Sequence, residues 1–377
     1  MEVCHIISAF ARDDTRIFWK QCRSLVKSGY SVTLITNDGG ESETREGVKI
    51  IPSGFKYSGR LHRILFARKI NYRKALEVNA DIFQIHDPEF IPLGLRLKRI
   101  GKHVVYDSHE DFPRQILEKD WIPGIFRKTI SLLAEAYLFR SLKKFDAIFT
   151  VTPHIVENLS RSLKNVFLVT NYPVVEAIIK EFSFDEYQSR GNKLCYAGTV
   201  YRSSLQENII KAIENKEEVE YIIIGTIDEK YKLELSEALL YRNVQFLNHV
   251  PKDILNHHYQ NVTIGIAVFD YSPNLGYKTG SLGVNKIFEY MSFGLPVICT
   301  DFVLWKEIID KYNCGICVNP NNIYEIRDAI NYLVRNKSEA YQMGQNGRHA
   351  VMEQFNWSSQ ERVYLNILKQ ILHNHRL

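Results

Sequence analysis

The chain has 377 residues and a formal net charge of +5; 45% of its residues are hydrophobic and 24% are charged. This composition excludes an intrinsically disordered chain, and the length predicts two domains. Only 20 Gly and 11 Pro occur, without periodicity, which excludes a collagen-like fibre. The longest apolar stretches, such as 262–269, are far shorter than the ~20 residues of a membrane-spanning helix.

Short apolar segments rich in β-branched residues alternate along the chain with longer amphipathic segments. The predicted strands are 3–9, 31–36, 81–86, 103–107, 146–152, 166–170, 193–198, 219–225, 244–247, 262–269 and 296–300. The predicted helices include 16–29, 88–100, 205–215 and 285–293. Such alternation is typical of βαβ units, in which helices cover both faces of a parallel sheet. The predicted fold class is therefore α/β.

The pattern is interrupted at 171–192, a segment with proline, glycine and several charges that we interpret as a linker. We predict two Rossmann-like domains with parallel sheets, an N-terminal one at 1–175 and a C-terminal one at 190–357. A final helix at 358–377 need not belong to the second domain and could return to the first. Ligands of open α/β sheets bind at the carboxyl ends of the strands, so a central cleft between the domains is the expected site.

The first ten residues have no basic segment before their apolar run, which predicts a strand rather than a signal peptide. Six cysteines lie in mostly apolar segments, as expected for reduced, buried thiols in a cytoplasmic protein. Cys314 and Cys317 form a C-x-x-C pair without a second cysteine pair or a histidine tract. We interpret this pair as strand packing, with a metal or redox role as the alternative.

Positive charge is concentrated in the first half of the chain. Residues 1–175 contain 27 Lys and Arg against 19 Asp and Glu, whereas the remainder contains 21 against 24. The segments 60–74 and 121–145 combine basic and apolar residues, which favours contact with an anionic membrane surface. The alternative is a pair of core-packing helices with solvated basic faces. No aromatic–basic motif typical of nucleic-acid binding occurs, so nucleic acid is not an expected partner.

A glycine-rich loop followed by a helix is the most informative feature of the second half. Gly276, Gly280 and Gly283 precede a helix predicted to begin near Val284 or Asn285. Glycines let backbone N–H groups approach a ligand closely, and the N-terminus of a helix attracts anions. The segment therefore predicts an anion site.

Two charged residues of this helix suggest which anion binds. Lys286 lies in the first turn, where a cation is unfavourable unless an anionic partner is present. Glu289 follows three residues later on the same face and could accept both hydroxyls of a ribose while the lysine holds a diphosphate. The alternative is an ordinary βα unit with a surface Lys–Glu pair. No G-x-G-x-x-G follows the first strand, so an NAD-dependent oxidoreductase is not indicated.

The segment 285–298 (NKIFEYMSFGLPVI) resembles the nucleotide-sugar signature of glycosyltransferase family 4, whose members are retaining enzymes of the two-domain GT-B fold. Further segments resemble C-terminal landmarks of that family in order: 305–309, 313–316, 343–348 and 355–357. Segments of the first half resemble its bacterial surface-polysaccharide branch: 16–18, 29–35, 86–89 and 106–110. The resemblance covers nearly the whole chain.

The resemblance implies a donor site for a UDP- or GDP-sugar in the second domain. Glu289 would hold the ribose and Lys286 the diphosphate, beside Gly198 at the end of a strand. Arg202 would be a second cation for the diphosphate, and its alternative is a solvated loop arginine.

The resemblance also implies catalytic residues in the first domain. His109 corresponds to a histidine of the family that contacts the transferred sugar near the anomeric carbon. Glu110 is expected to help position it. The alternative for His109 is a core or capping histidine.

One position departs from the family pattern. The first glutamate of the family's E-x7-E pair would fall at Ser281, which leaves the preference for the donor sugar open. Backbone N–H groups around Leu282 and Gly283 are expected to hold sugar or phosphate oxygens there. The sequence contains no D-x-D motif, so no metal or other cofactor is expected, and Lys286 and Arg202 would supply the positive charge.

Polar residues that follow two N-terminal strands are the candidates for binding the acceptor. Asp13 and Arg16 follow the first strand, and Asp87 and Glu89 follow another. Asp87 and Pro88 also match the N-cap and first residue of a helix, so helix capping is the alternative.

These features predict a retaining hexosyltransferase that moves a sugar from a UDP- or GDP-sugar to a lipid-linked glycan in bacterial surface polysaccharide synthesis, such as O-antigen or capsule. It is expected in the cytoplasm, peripherally at the inner face of the cytoplasmic membrane. A nucleotide-sugar epimerase of the same fold is the alternative enzyme. A non-catalytic partner subunit that binds a nucleotide sugar is the alternative from another class.

Overall fold

The computed structural model describes residues 1–54, 57–119, 121–175, 181–235 and 242–373. The chain divides into two units. The first comprises Met1–Asn171 together with Trp357–Leu377, and the second is Tyr172–Asn356. The predicted linker 171–192 includes residues 176–180, which lie outside the described residues.

A single sheet runs through the first unit. In the described residues its strands are β1 (Glu2–Ile6), β2 (Ser31–Thr36), β3 (Glu43–Arg45), β4 (Val48–Pro52), β5 (Ile82–Ile85), β6 (His103–Ser108), β7 (Ala147–Thr150) and β8 (Val166–Leu168). Their order is β3-β4-β2-β1-β5-β6-β7-β8, and every neighbouring pair is parallel except β3–β4. The neighbours β1, β5 and β6 therefore end at the same edge of the sheet.

Helices connect the strands of the first unit. They are a π-helical segment (Thr15–Cys22) that continues as α1 (Arg23–Lys27), then α2 (Arg60–Val78), α3 (Ile91–Arg99), α4 (Phe112–Gln115), α5 (Gly124–Leu142) and α6 (Pro153–Ser160). The side chain of Asp14 begins the first of them by accepting the backbone N–H groups of Arg16 and Ile17. This is the usual way in which an aspartate caps a helix.

The second unit repeats the design with a fully parallel sheet. Its described strands are β9 (Lys193–Ala197), β10 (Glu220–Ile224), β11 (Val244–Leu247), β12 (Ile264–Ala267), β13 (Val297–Thr300) and β14 (Gly315–Val318). Their order is β11-β10-β9-β12-β13-β14. The helices are α7 (Phe184–Ser189), α8 (Gln206–Ala212), α9 (Glu229–Glu234), α10 (Lys252–Gln260), α11 (Lys286–Ser292), α12 (Val303–Tyr312), α13 (Ile323–Arg335) and α14 (Lys337–Glu353).

The last helix, α15 (Trp357–His373), belongs to the first unit. The indole N–H of Trp357 donates to Ser24 Oγ at 2.9 Å, and Gln360 accepts the backbone N–H of Thr170 at 2.8 Å. The phenol of Tyr364 is fully buried. Specific buried hydrogen bonds therefore hold the end of the chain against its beginning.

The predicted strands and helices are present. Several predicted elements are longer than the observed ones, because apolar residues continue beyond the end of the strand or helix into a buried loop. Val268 and Phe269, for example, stay buried beyond the end of β12. The pair β3–β4 was not predicted; its turn at Glu46 and Gly47 takes positive φ at both residues, as a tight hairpin requires. All six cysteines are free. Within the described residues no helix combines the length and apolarity needed to cross a bilayer.

Candidate functional site

A glycine and a lysine meet at the end of β9 in the second unit. Gly198 follows this strand with φ +133°, and its N–H donates to Ile224 O at 2.8 Å. A Cβ atom at this position would lie 2.4 Å from the Nζ of Lys286. The lysine therefore fills the space that a side chain at residue 198 would occupy.

Lys286 is half-buried as a residue, and its ammonium group lies over two aromatic rings. Its Nζ is 5.1 Å from the ring centre of Tyr196 and 5.5 Å from that of Phe269. It makes no hydrogen bond or ion pair with any described residue. Burial lowers the pKa of Lys286, and the carboxylate of Glu289 acts in the opposite direction. A cation with no polar partner among the described residues favours an anion bound at this position.

Glu289 lies one turn further along α11 and is also half-buried. Its Oε2 accepts the phenol of the buried Tyr259 at 3.3 Å, whereas its Oε1 has no partner among the described residues. Lys286 and Glu289 form no ion pair in the described part of the chain. The alternative of a surface Lys–Glu pair is therefore wrong, and one carboxylate oxygen is available to a ligand.

The loop before α11 uses its own polar groups. Ser281 is buried; its Oγ accepts the N–H of Gly283 at 3.1 Å and its carbonyl accepts the indole N–H of Trp305 at 2.9 Å. Leu282 is buried as well. Ser281 thus accepts the N–H of Gly283 in this structure, and the predicted contacts of Leu282 and Gly283 with ligand oxygens stay a prediction. Gly280, with φ +82°, packs directly against Phe302.

Arg202 begins a 3₁₀ turn after β9, and its side chain is 70% exposed. Its guanidinium forms an ion pair with Glu234. An exposed pair of this kind exchanges partners at little cost. The predicted diphosphate contact of Arg202 stays a prediction.

In the first unit, Asp107 at the end of β6 collects hydrogen bonds in a fully buried position. Arg16 donates to its Oδ1 at 2.6 Å and to its Oδ2 at 3.0 Å, and Gln21 donates to its Oδ2 at 2.7 Å. Burial alone would raise the pKa of Asp107, but the guanidinium of Arg16 holds it well below its usual value. Arg16 also donates to Val169 O at 2.8 Å. Its predicted acceptor contact is therefore wrong, because the guanidinium is buried and bonded within the unit.

His109 follows β6 and keeps 16% of its side chain exposed. Its Nε2 lies 3.3 Å from Asp107 Oδ2 and 3.1 Å from Nδ1 of the buried His86. The rings of His109 and Phe10 pack with their centres 4.5 Å apart. Glu110, next in the chain, is exposed. One ring nitrogen of His109 is thus directed into the buried cluster while part of the ring stays exposed, whereas a core histidine is buried on all sides.

His86 continues the cluster inward. Its Nδ1 lies 3.2 Å from Asp107 Oδ2, and its Nε2 lies 2.9 Å from Nδ1 of His5. Burial lowers the pKa of both His5 and His86, so both imidazoles are neutral at neutral pH. The sequence analysis did not nominate either residue. The signal was present, because each lies on or directly after one of the neighbouring strands β1 and β5.

Three ligand atoms of this cluster lie 3.1–3.3 Å apart: His86 Nδ1, His109 Nε2 and Asp107 Oδ2. Two histidines and a carboxylate at such separations have the composition of a metal site. The carboxylate is already neutralised by the guanidinium of Arg16, which would repel a second cation. The arrangement fits shared protons better than a metal ion, and metal independence stays a prediction.

The remaining acceptor candidates lie at the neighbouring strand ends. Asp87 is buried and is the N-cap residue of a 3₁₀ turn (Pro88–Phe90) that begins with a proline, as the capping alternative predicts. Its side chain makes no capping hydrogen bond; its Oδ2 accepts the N–H of Ser8 at 2.6 Å. Burial raises the pKa of Asp87 to about 7, and Glu89 acts in the same direction. Glu89 accepts Ser8 Oγ at 2.6 Å and pairs with Arg63 at 2.9 Å. Asp13 is exposed.

The comparisons with known proteins are consistent with this arrangement. Residues 15–170 match the family model described as Glycosyltransferase Family 4, and residues 179–350 match the model described as Glycosyl transferases group 1. The two matches together span most of both units. The chain belongs to glycosyltransferase family 4. An uncharacterized glycosyltransferase of Methanocaldococcus jannaschii is 24% identical over 298 residues, which is 75% of this chain and 71% of that protein.

Solved structures of similar proteins show that this glycosyltransferase has the GT-B fold. Sucrose-phosphate synthase from Thermosynechococcus elongatus superposes with a TM-score of 0.78 at 15% identity over 99% of both chains. HepE from Anabaena, in complex with UDP and glucose, gives a TM-score of 0.73 at 13% identity over 98% of this chain and 100% of that chain. These structural matches confirm the predicted fold, and the family models confirm the predicted family.

Proposed function

We propose that the enzyme transfers a hexose-type sugar from a UDP- or GDP-sugar to a lipid-linked glycan, with retention at the anomeric carbon, in bacterial surface polysaccharide synthesis. The observation that carries the donor half of this proposal is Lys286. Its ammonium has no partner in the described part of the chain and lies one turn from the open carboxylate oxygen of Glu289. A nucleoside diphosphate matches both groups: its diphosphate is an anion for Lys286, and its ribose has two hydroxyls that can donate to Glu289.

UDP is the first donor nucleotide to test. HepE was solved with UDP and glucose, and an E. coli protein similar in fold, with a TM-score of 0.71 at 11% identity, was solved with UDP-2-fluoro glucose. Those ligands belong to those proteins. They support UDP here through the shared fold and through the family signature that carries Lys286 and Glu289.

In the proposed reaction the bond from the anomeric carbon to the diphosphate oxygen breaks, and a bond from that carbon to an acceptor hydroxyl oxygen forms on the same face. The acceptor proton passes to an oxygen of the departing diphosphate on that face. Lys286 stabilises the negative charge that develops on the diphosphate. Arg202 adds to this stabilisation once it has released Glu234 and paired with the diphosphate. No metal is required in this scheme.

The lipid-linked acceptor is supported by the surface of α5. Large apolar side chains are exposed along this helix and just before it, among them Ile125 at 80% and Leu133 at 66%. The others are Trp121, Phe126, Ile130, Leu132 and Tyr137. Exposed basic residues flank them: Lys128, Arg140, Lys143 and Lys144. An apolar face with a basic margin is typical of a helix that rests in an anionic membrane surface.

Membrane contact is tested by sedimentation with vesicles that contain phosphatidylglycerol or phosphatidylcholine alone. We expect binding to the anionic vesicles that falls at least tenfold in the double variant Ile125→Ser, Leu133→Ser. Leu233→Ser removes an equally exposed apolar side chain from the second unit and is the matched control. Equal binding of the wild type, the double variant and the control would show that α5 does not contact the membrane.

The donor is tested by thermal unfolding with UDP, GDP, ADP and NAD, each with and without EDTA. A nucleotide at 100 times its Kd adds about 2.7 kcal/mol to the stability of the folded state. We expect UDP or GDP to stabilise the wild type regardless of EDTA, and neither to stabilise Lys286→Ala. Stabilisation by NAD alone, or only with added magnesium, contradicts the proposed site.

Transfer is tested with the corresponding nucleotide sugar and extracted lipid-linked acceptors. The configuration of the product, read by NMR of its anomeric proton, should match that of the donor sugar. Nucleotide release without any acceptor, together with a free altered sugar, would favour an epimerase. Nucleotide binding without turnover on any acceptor would favour a non-catalytic partner subunit.

A further inference from the structure

The buried cluster around Asp107 is larger than the part that touches His109. His5 Nε2 lies 3.4 Å from the phenol oxygen of Tyr364, which donates to Gln84 Oε1 at 2.9 Å. Gln84 Nε2 donates to Gln21 Oε1 at 2.9 Å, and Gln21 Nε2 donates to Asp107 Oδ2 at 2.7 Å. The hydrogen bonds thus form a closed circuit, which we name the histidine circuit: His109, His86, His5, Tyr364, Gln84, Gln21 and Asp107.

The direction of half of this circuit follows from simple chemistry. An ionised carboxylate only accepts hydrogen bonds, so Gln21 must donate to Asp107 through its amide nitrogen. The amide oxygen of Gln21 then accepts from Gln84. The amide oxygen of Gln84 accepts the hydroxyl proton of Tyr364. The phenol oxygen of Tyr364 is left as an acceptor that faces His5.

The three histidines complete the circuit with every group paired when each carries its proton on Nε2. A neutral imidazole carries one N–H and one lone pair. His5 meets the phenol oxygen with Nε2–H and so offers Nδ1 as an acceptor to His86. His86 donates from Nε2 and offers Nδ1 as an acceptor to His109. In its neutral form His109 therefore donates from Nε2, and its Nδ1 is left with the lone pair.

The reversed direction leaves groups unpaired or opposed. With the proton of His86 on Nδ1, His86 would donate to Asp107 Oδ2 at 3.2 Å, but its N–H would then oppose the N–H of His109 Nε2 at 3.1 Å. His5 would have to donate from Nδ1, and its Nε2 would compete with Gln84 for the single proton of Tyr364. With the proton of His109 on Nδ1, the lone pair of Nε2 would face the carboxylate of Asp107 at 3.3 Å. Buried polar groups without partners are costly, so the fully paired arrangement is favoured.

We propose that the histidine circuit fixes the tautomer of His109, with the proton on Nε2 and the lone pair on Nδ1, and that His86, His5 and Tyr364 are positioning residues for the transfer reaction. The catalytic part of this statement rests on the proposed function of His109. A histidine with its Nδ1 lone pair fixed accepts a hydrogen bond from a sugar hydroxyl. Because Tyr364 belongs to α15, the tautomer of His109 depends on a helix near the end of the chain.

The tautomers are read directly by ¹⁵N NMR of protein labelled at its histidine rings, near pH 7.5. Signals are assigned with the single variants His5→Gln, His86→Gln and His109→Gln. We expect the proton on Nε2 in all three histidines of the wild type. A proton on Nδ1 of His86 or His109 overturns the proposal. Loss of both signals on addition of one equivalent of Zn²⁺ also overturns it, because the cluster would then be a metal site.

A variant at the far end tests whether the circuit acts as a unit. Tyr364→Phe removes the acceptor for His5, so we expect mixed tautomers at His5 and His86 and an altered signal at His109. The kcat for transfer should fall three- to tenfold, with the KM for the donor unchanged. Ser24→Ala is the matched control, since it removes one buried hydrogen bond of α15, that of Trp357, outside the circuit.

The two variants separate positioning from structural support. Both should lower the unfolding temperature to a similar degree, and only Tyr364→Phe should change the histidine signals and kcat. Unchanged histidine signals in Tyr364→Phe overturn the proposal. If the wild-type tautomers are as expected but no sugar is transferred from any donor, the proposed function fails while the tautomer assignment holds. If transfer occurs without the expected tautomers, only this inference fails.

Discussion

The two units treat their charged groups in opposite ways. In the first unit, Arg16 and Asp107 are both fully buried and satisfy each other, and Glu89 is paired with Arg63. In the second unit, Lys286 has no polar partner among the described residues, and Glu289 keeps one oxygen open. The first unit is therefore pre-organised by its own residues, whereas the second holds its charges ready for a ligand.

This difference predicts how substitutions of charged residues affect stability and activity in each unit. Buried pairs bonded within the chain are costly to break because the surviving charge stays buried. A partly buried charge without a partner contributes little to folding, because its desolvation is not compensated. Substitutions in the first unit should mainly change stability, and those around Lys286 should mainly change activity.

The largest effect is expected from breaking the buried pair of the first unit. Arg16→Met leaves the carboxylate of Asp107 without its guanidinium and should lower the free energy of unfolding by about 3–5 kcal/mol. Arg12→Met is the matched control, because Arg12 pairs with Asp38 and Glu43 in a more exposed position. Its cost should be about 1 kcal/mol or less. Urea denaturation measures both, and equal losses would contradict the comparison.

The next largest effect is expected in the second unit, where a substitution should lower activity rather than stability. Lys286→Met should lower kcat/KM at least about 100-fold, equivalent to roughly 2.7 kcal/mol of transition-state stabilisation. The unfolding temperature should not fall, because the substitution removes a partly desolvated cation. Lys278→Met removes an exposed lysine from the preceding loop and should leave kcat/KM within twofold. A large loss of stability in Lys286→Met would mean that the lysine is structural.

A smaller effect is expected where the backbone makes room for the lysine. In Gly198→Ala the new methyl group would lie 2.4 Å from Lys286 Nζ and displace it. Calorimetric titration should show the affinity for the donor nucleotide reduced about tenfold, roughly 1.4 kcal/mol. Gly191→Ala imposes comparable backbone strain, with φ +80° and open space around the position. Equal loss of affinity in both variants would exclude a specific role for Gly198.

The smallest effect concerns pH and the buried Asp87. Its folded-state pKa of about 7 is raised above its ordinary value of 3.8. Between these values the folded state binds more protons than the unfolded state, so stability falls as pH rises toward 7. Asp87→Asn removes this titration, so its stability relative to the wild type should rise by about 1–2 kcal/mol between pH 6 and pH 8. Asp13→Asn, at an exposed position, should show the same difference from the wild type at both values.

Much of this architecture is predictable because local sequence dictates it. The parallel strands are continuous apolar runs, since both faces of each sheet are covered, and the helices between them are amphipathic. Lys286 and Glu289 were found because a cation in the first turn of a helix is unfavourable without a partner. The family signature at 285–298 then supplied the chemistry that spacing alone left open.

The parts that were not predicted depend on contacts between distant residues or on weak local signals. Arg16 and Asp107 are 91 positions apart, and only the order of the strands brings them together. The strand β3 is short and half-exposed, so its three polar residues carry no apolar pattern. The roles of His5 and His86 became visible only when β1, β5 and β6 were known to be neighbours.

The return of α15 to the first unit has a consequence for how the protein is made. The second unit is one continuous segment, Tyr172–Asn356, whereas the first needs residues from both sides of it. During synthesis the second unit can therefore fold before the first is complete. Tyr364 emerges last among the residues of the histidine circuit. A chain ending before Trp357 would contain the whole second unit and leave the histidine circuit around His109 without Tyr364.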